Sequence, residues 1–369
     1  MKWRSGCRRL NFMSVVWRCS VILLLLGLGV WLSRGGGGEV CKTPVHPFRY
    51  TSSSSSVPGD QPSKGIVLVF VACGNRTKET LVLLNSVLLF RSDPQTQVHV
   101  VAFTELEQVE LFRESLQKVM KSSTVSLEVR PVDFSHALIP KSSKTDWKNL
   151  FKRCASQRLF LPEVLEDVDA VLYVDTDVLF LSPIEEIWEY FQRFNDSQLA
   201  SASPEHEDVA VSWYSRFARH PFFGETGINS GVMLMNLTRM RNRKTRVYFN
   251  EFYAEYRSQL AWGDQDLLNI LFYYHPEWLF LLPCHWNYRP DHCMYMSVCA
   301  SAETEGKQPA FQVLYDVISS AETPRESLQR LQAALNQLKD SAGSDAIGGT
   351  CSVIPELFTK QLQRGHFAD

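Results

Sequence analysis

The sequence predicts an α/β fold with a largely parallel sheet, and three observations carry that expectation. Apolar, β-branched runs at residues 66–72, 98–103 and 170–174, together with the more polar segment 126–132, read as strands; the first and last are uninterrupted, as in strands buried on both faces. Segments with apolar residues at helical spacing alternate with them, the order of a β-α-β chain. Acidic and amide side chains collect where apolar runs start or stop, and open α/β sheets bind ligands outside the carboxyl ends of their strands.

The chain opens with Lys2, Arg4, Arg8, Arg9 and Arg18 ahead of an apolar run at 21–32, closed by Ser33, Arg34 and four glycines. A basic flank before an apolar core keeps the N-terminus cytosolic. The run of 12 residues is shorter than the roughly 20 that cross a bilayer, so a span must recruit 14–20, with Arg18 reaching back to the headgroups. A cleaved signal peptide is the alternative. No small-x-small cleavage site directly follows the run, which favours an uncleaved anchor. On that reading 1–13 is a cytosolic tail, 14–32 a signal-anchor helix and 33–64 a flexible stem rich in Gly, Pro and Ser. Residues 65–369 then form the ER- or Golgi-lumen-facing body of a single-pass type II membrane protein.

Within the body, strand 66–72 runs into Cys73-Gly74-Asn75, and Leu81, Leu84, Val87 and Leu88 predict a helix over 77–90. Strand 98–103, helix 105–120, strand 126–132, helix 156–165 and strand 170–174 continue the alternation. Ser182, Pro183 and Glu185 read as N-cap, first residue and capping-box partner of another helix. A strand at 231–235 and a helix at 264–272 follow. The spacing of Leu328, Leu331, Leu335 and Leu338 predicts a final helix over 320–338 that packs rather than reacts.

Composition narrows the function. A chain of 369 residues, 45% hydrophobic and 21% charged, can bury one large core or two smaller ones. A formal net charge of -2 and no basic patch leave no electrostatic reason to expect nucleic acid. Of nine cysteines, Cys7 and Cys19 lie in or before the anchor. The remaining seven suit an oxidising lumen, with an odd one left over. Cys284, His285, His292 and Cys293 match no standard zinc spacing, so a disulfide with surface histidines competes with a metal site there. Sequons at Asn75, Asn195 and Asn236 permit glycosylation.

Three polar clusters carry the chemistry. Strand 170–174 runs straight into Asp175-Thr176-Asp177, two carboxylates at a strand's carboxyl end. Hard divalent cations take such oxygens, and one bridging them to a diphosphate would stabilise a leaving nucleotide; an ordinary strand-edge turn is the alternative. Gly227-Ile228-Asn229-Ser230-Gly231 precedes an apolar strand, with Gly231 permitting close backbone approach and Asn229 offering a donor and an acceptor to a sugar hydroxyl, or forming only a turn. Trp262-Gly263-Asp264-Gln265-Asp266 precedes a helix, where Asp264 could be no more than its N-cap. Aromatic segments 213–217 and 286–292 are candidate acceptor surfaces, since ring faces suit sugar C–H faces.

Together, Val71 to Gly74, Cys154 to Pro162, Leu172 to Phe180, Pro204 to Glu207, Trp213 to Gly224, Gly227 to Asn236, Trp262 to Asn269 and Trp286 to Cys293 resemble glycosyltransferase family eight, and within it the glucoside xylosyltransferases. The resemblance implies a single Rossmann-like glycosyltransferase-A domain with a mostly parallel mixed sheet. It implies retaining transfer of xylose from UDP-xylose, in α-1,3 linkage, onto O-linked glucose of EGF-like repeats in glycoproteins such as Notch. By match to the family motifs, Asp175 and Asp177 would hold Mn²⁺ and the donor, and Arg158 would face the donor. Ala72 and Cys73 would border the uridine, Lys307 would contact a phosphate, Asn229 would meet the transferred sugar, and Asp264 and Gln265 would meet the reacting centre. Two departures stand out. Members of the family carry a His-Gly-Asn-Arg-Gly segment ahead of a run like Lys307 to Phe311, its His being a metal ligand, and here that segment is missing. The connection from Arg243 to Trp262 is also shorter. His285 and His292 are the candidates to replace the ligand, and an inactive, acceptor-binding pseudoenzyme is the alternative function.

Overall fold

The computed structural model describes residues 65–120, 124–136, 150, 154–288, 309–320, 324–341, 358–360 and 362. The expected tail, anchor and stem, together with Lys307, His292 and the shortened segment before Lys307, lie outside them. The chain divides between Gly59 and Asp60, and every described residue belongs to the second unit. Among the described residues, no helix is long and apolar enough to cross a membrane.

β1 (Gly65–Val71) pairs in parallel with β2 (Gln97–Thr104), which pairs in parallel with β3 (Val125–Pro131). β4 (Ala170–Val174) lies parallel to β1 on its other side. Beyond it come β5 (Ala200–Pro204), β6 (Ile228–Asn236) and β7 (Leu279–Leu281). The strand order among the described residues is β3-β2-β1-β4-β6-β5-β7. β6 runs antiparallel to both β4 and β5, and β7 is parallel to β5. The sheet is therefore mixed and mostly parallel. The chain leaves β1 toward β2 on one side and returns to β4 on the other, so a crevice opens at the carboxyl ends of β1 and β4.

Helices cover both faces. In chain order they are α1 (Thr77–Leu89), α2 (Val109–Gln117), α3 (Leu161–Val164), α4 (Ile184–Trp188), α5 (Trp213–Phe217), α6 (Leu237–Asn242), α7 (Thr245–Tyr256), α8 (Asp264–Tyr274), α9 (Pro309–Ser320) and α10 (Pro324–Ser341). Alternation along the strands sorts the core. Val67, Val69, Val101, Phe103, Val171 and Tyr173 pack with Phe249 of α7 and Leu267, Leu268 and Leu271 of α8. Their neighbours Leu68, Phe70, Val100, Leu172 and Val174 pack with α1, α2 and α4. A residue period of two on both faces is what a doubly covered sheet demands. α1 is buried twice over: Leu83, Leu84 and Val87 meet the sheet, whereas Val82 and Leu89 meet Leu314, Leu331 and Leu335 of α9 and α10. The final helix packs, as its leucine spacing predicts.

Four local expectations are corrected. Pro183, with extended backbone, takes the N-cap position of α4, and no side chain caps that helix; Glu185 instead lies 3.4 Å from the Asp93 amide. The helix expected over 156–165 is a 3₁₀ turn, Ala155–Phe160, followed by the one-turn α3 with Pro162 in its first turn. The helix expected over 105–120 likewise starts as a 3₁₀ turn, Leu106–Gln108, and its α part ends at Gln117. β6 starts at Ile228, so Asn229 sits inside the strand rather than before it.

Candidate active site

β4 ends against its antiparallel neighbour: the Asp175 amide donates to the Gly231 carbonyl at 2.8 Å. That pairing sets Asp175, Thr176 and Asp177 beside residues 229–231 of β6. Asp177 is exposed and Thr176 is buried. The 3₁₀ turn before α3 delivers Arg158 into the same space. It starts at Cys154, whose φ of 65° turns the chain sharply, and Cys154 is disulfide-bonded to Cys73 at the end of β1. The Arg158 turn is thus tied to the β1 end of the crevice.

Arg158 is the hub of the site, with only 5% of its side chain exposed. Its Nη2 lies 3.1 Å from Asp175 Oδ1. Its Nε lies 2.5 Å from Asp264 Oδ2, a close ion pair off the line of a straight hydrogen bond. Nη1 donates to the Ser230 carbonyl at 2.5 Å, and the guanidinium stacks 4.5 Å from the Tyr173 ring centroid. Burial opposes the Arg158 charge, but Asp175 and Asp264 more than offset it, and the group is held above its ordinary value. Burial pushes the Asp264 carboxyl up, with Arg158 working against it. Burial also pushes the Tyr173 phenol well up, so it serves as a donor, to Asp175 Oδ1 at 3.1 Å.

α8 forms the opposite wall. Gly263, at φ 61°, takes its N-cap position and Asp264 is its first residue, so the N-cap reading of Asp264 is overturned. Asp264 and Asp266 occupy the first turn, where the helix dipole favours carboxylates. Gln265 Oε1 accepts from the Ser230 amide at 3.0 Å and the Ser230 hydroxyl at 3.2 Å. One turn on, Asn269 exchanges two hydrogen bonds with the Ile228 backbone. The helix is therefore stitched to β6 along the residues that meet Asp175. Asn229 Oδ1 accepts from the Gly231 amide at 2.9 Å and from Asn287 Nδ2 at 2.7 Å.

These groups line a cleft of about 910 Å³ together with Cys73, Gly74, Arg76, Glu205, Trp213 and Trp262, within the size range of small-molecule sites. Residues 67–308 match the family described as Glycosyl transferase family 8. The chain belongs to that family. It is 42% identical to glucoside xylosyltransferase 2 of Xenopus laevis, over 90% of this chain and 81% of the relative. It is 46% identical to glucoside xylosyltransferase 2 of Mus musculus, over 85% of this chain and 73% of the relative. The crystal structure of mouse xyloside xylosyltransferase 1, apo form, aligns with a TM-score of 0.46 at 17% identity, covering 60% of this chain and 85% of that one.

This family 8 glycosyltransferase brings Asp175, Asp177, Arg158, Asn229, Asp264, Gln265 and Cys73 to one cleft. Ala72 sits behind the wall, 2% exposed, its carbonyl accepting from the Thr104 hydroxyl. Cys73 lines the cleft as half of a disulfide. His285 is exposed outside the cleft, stacked toward Trp286, and burial lowers its pKa. Cys284 is a free thiol pushed up to about 11 by burial. Of the two aromatic segments, Trp213 and Phe217 reach the cleft, whereas Trp286 turns into the core edge-on to Tyr190. Asn236 caps α6, accepting from the Arg239 amide at 2.9 Å.

Several site residues have no individual role legible in the sequence, although Tyr214 and His220 fall within the motif Trp213 to Gly224. Arg76 follows the β1 turn; its pKa is raised mainly by the hydrogen bond it donates to Glu79, with Asp177 and Asp175 adding to it. Tyr214 and His220 sit directly behind Gln265. Position 76 follows Cys73-Gly74-Asn75, so the end of a buried strand was the one available signal for it.

Proposed function

We propose that the protein is a UDP-xylose-dependent glucoside xylosyltransferase, a type II membrane protein facing the ER or Golgi lumen. It moves xylose in α-1,3 linkage onto O-linked glucose of EGF-like repeats in glycoproteins such as Notch. The carrying observation is the meeting of Asp175 and Asp177 at the end of β4 with Arg158, Asp264 and Gln265 in one cleft. Identity of 40% or more to glucoside xylosyltransferases supports the choice of xylose and glucose.

Asp175 and Asp177 line the cleft with carboxylate oxygens, the donor type a divalent cation takes. A Cβ at Gly231 would stand 3.0 Å from Asn229 Oδ1, 3.5 Å from Asp175 Oδ2 and 3.7 Å from Asn287 Nδ2, so the missing side chain leaves a polar hollow beside the carboxylate. Asp175 and Asp177 would hold Mn²⁺, and Lys307 would contact a donor phosphate. Bound there, the cation supplies charge stabilisation to the departing diphosphate. Arg158 holds positive charge in the dry floor of the cleft, where it orients Asp175 and counters charge on a phosphate. Cys73 and the residues around it wall the uridine side. Asn229 and Gln265 present amides to sugar hydroxyls, and Trp213 and Trp262 offer ring faces at the mouth to the acceptor. The acceptor hydroxyl oxygen bonds to the anomeric carbon on the face the diphosphate leaves, and its proton passes to the diphosphate. None of the protein's groups has to become covalently bound.

The purified lumenal body, given UDP-xylose, Mn²⁺ and an O-glucosylated EGF-repeat peptide, is expected to form a xylosylated product. A yield no higher than that of Asp175→Asn sinks the reading. A second reading, an acceptor-binding pseudoenzyme, draws on Asp175 Oδ1 already being engaged by Arg158. Among the described residues, no group of three His, Cys, Asp or Glu could hold a metal ion. Acceptor binding without metal-dependent turnover would select it. Competition by UDP-glucose or UDP-galactose tests donor identity.

A further inference from the structure

A second buried pair of ionisable groups, His220 and Asp266, lies behind the cleft wall, and the transfer reading makes no use of it. His220 has a side chain with no solvent exposure, and its Nε2 is 3.3 Å from Asp266 Oδ1, whose side chain is equally enclosed. The other ring nitrogen, Nδ1, is 2.9 Å from the Pro221 carbonyl. Both neighbours are acceptors, an environment for a ring that carries a proton on each nitrogen. A buried carboxylate needs such compensation, and Asp266 has more: Oδ2 accepts from the Ala261 amide at 2.7 Å and the Trp262 amide at 2.6 Å. Oδ1 also takes the Tyr214 hydroxyl proton at 2.8 Å.

That last bond has a directional consequence. With its proton committed to Asp266, the Tyr214 oxygen has only lone pairs to offer, and Gln265 Nε2 donates to it at 3.3 Å. The Gln265 carboxamide is thereby turned with Oε1 toward Ser230, where it accepts from both the amide and the hydroxyl. Donors and acceptors are in register from Asp266 to Ser230, with His220 Nε2 at ion-pair distance behind Asp266 but off hydrogen-bond geometry, and a flipped carboxamide would break the contacts at both ends. The backbone is shaped to the same end. Gly227, at φ +72°, lies against the Tyr214 ring, and a Cβ there would come within 2.5 Å of Tyr214 Cδ2.

We propose that His220, Asp266 and Tyr214 form a buried positioning array that sets the orientation of the Gln265 carboxamide and the seat of Trp262 at the cleft mouth. The array rests on the transfer reading in one respect, that Gln265 meets the reacting sugar. His220, Asp266 and Tyr214 themselves are positioning residues, acting through Gln265 and Trp262.

Tyr214→Phe keeps the ring and removes only the hydroxyl, and two measurements on the full-length chain read its effect. In a turnover assay, kcat is expected to fall by about 10²-fold with the donor KM changed by less than about two-fold, since misplacement acts on the transition state more than on ground-state binding. In a spectrum of selectively ¹⁵N-glutamine-labelled protein, the carboxamide resonance lost in Gln265→Glu is expected to shift in Tyr214→Phe. An unchanged kcat and KM, or a Gln265 resonance that does not move, overturns the array. A wild type that turns over no nucleotide sugar removes the transfer reading instead. The array is then judged on the resonance alone: a shift supports it, and a fixed resonance overturns it.

Discussion

Two acidic triplets of the same form meet in this cleft in opposite environments. Asp175-Thr176-Asp177 stands open, with Asp177 exposed and the Asp175 side chain 31% exposed. Asp264-Gln265-Asp266 is enclosed, its two carboxylates 2% and 0% exposed. The enclosed pair is compensated by protein groups already in place, Arg158 for Asp264 and His220 with Tyr214 and two backbone amides for Asp266. In the open pair, Asp175 Oδ1 meets Arg158 and Tyr173, and both carboxylates act electrostatically on Arg76. An open carboxylate pair can exchange water for a cation and a diphosphate, whereas an enclosed one is a scaffold whose loss strands buried charge. On the proposed transfer reading, the same residue pattern serves binding in one triplet and positioning in the other.

That contrast can be broken by substitution. Asp175→Asn is expected to lower Mn²⁺-dependent turnover of UDP-xylose by about 10²–10³-fold, the range seen when one transition-state-stabilising group is removed; activity within about ten-fold of wild type would leave the open triplet without its assigned role. Asp264→Asn leaves Arg158 enclosed without its nearest counter-charge and is expected to destabilise the fold by about 3–5 kcal/mol in urea unfolding. Asp177→Asn, on the exposed side, should stay within about 0.5 kcal/mol of wild type in the same experiment. Equal losses in these two variants would erase the difference between the triplets.

Smaller effects sharpen it. Gly227→Ala adds a Cβ against the Tyr214 ring in a left-handed backbone, and thermal or urea unfolding should show a loss of about 1–3 kcal/mol. The smallest effect is a pH dependence. The His220 pKa is raised: burial opposes the charge, but Asp266 and the Pro221 carbonyl outweigh it. A raised folded value means the pair's stabilisation is complete below the unfolded histidine value of about 6.5 and is lost as pH rises through the raised value. The stability gap between wild type and His220→Gln should therefore narrow at alkaline pH in urea titrations. A gap that widens there reverses the sign.

The sequence by itself determined the parts of this protein that depend on periodicity. The β1 and β4 runs, the alternation of helix and strand, and Asp175 and Asp177 at a strand's carboxyl end are all local patterns, because burial on two faces writes a continuous apolar run and a ligand site interrupts it. Motif order and spacing also carried the family. Only the tertiary structure decided the rest. The antiparallel direction of β6, which brings Asn229 and Gly231 beside Asp175, leaves no mark on a strand buried on both faces. Pro183 replacing Ser182 as the N-cap, and Gly263 replacing Asp264, turn on backbone angles that only the folded chain sets, extended at Pro183 and at φ 61° for Gly263, where glycine is favoured. The Cys73–Cys154 disulfide, separated by 81 residues, is one pairing among many that a cysteine count allows. Asp264 and Asp266 read in sequence like the open triplet before them. Their different work comes from Arg158 and His220, residues distant in the chain that folding sets beside them, where low polarity makes each contact count for more.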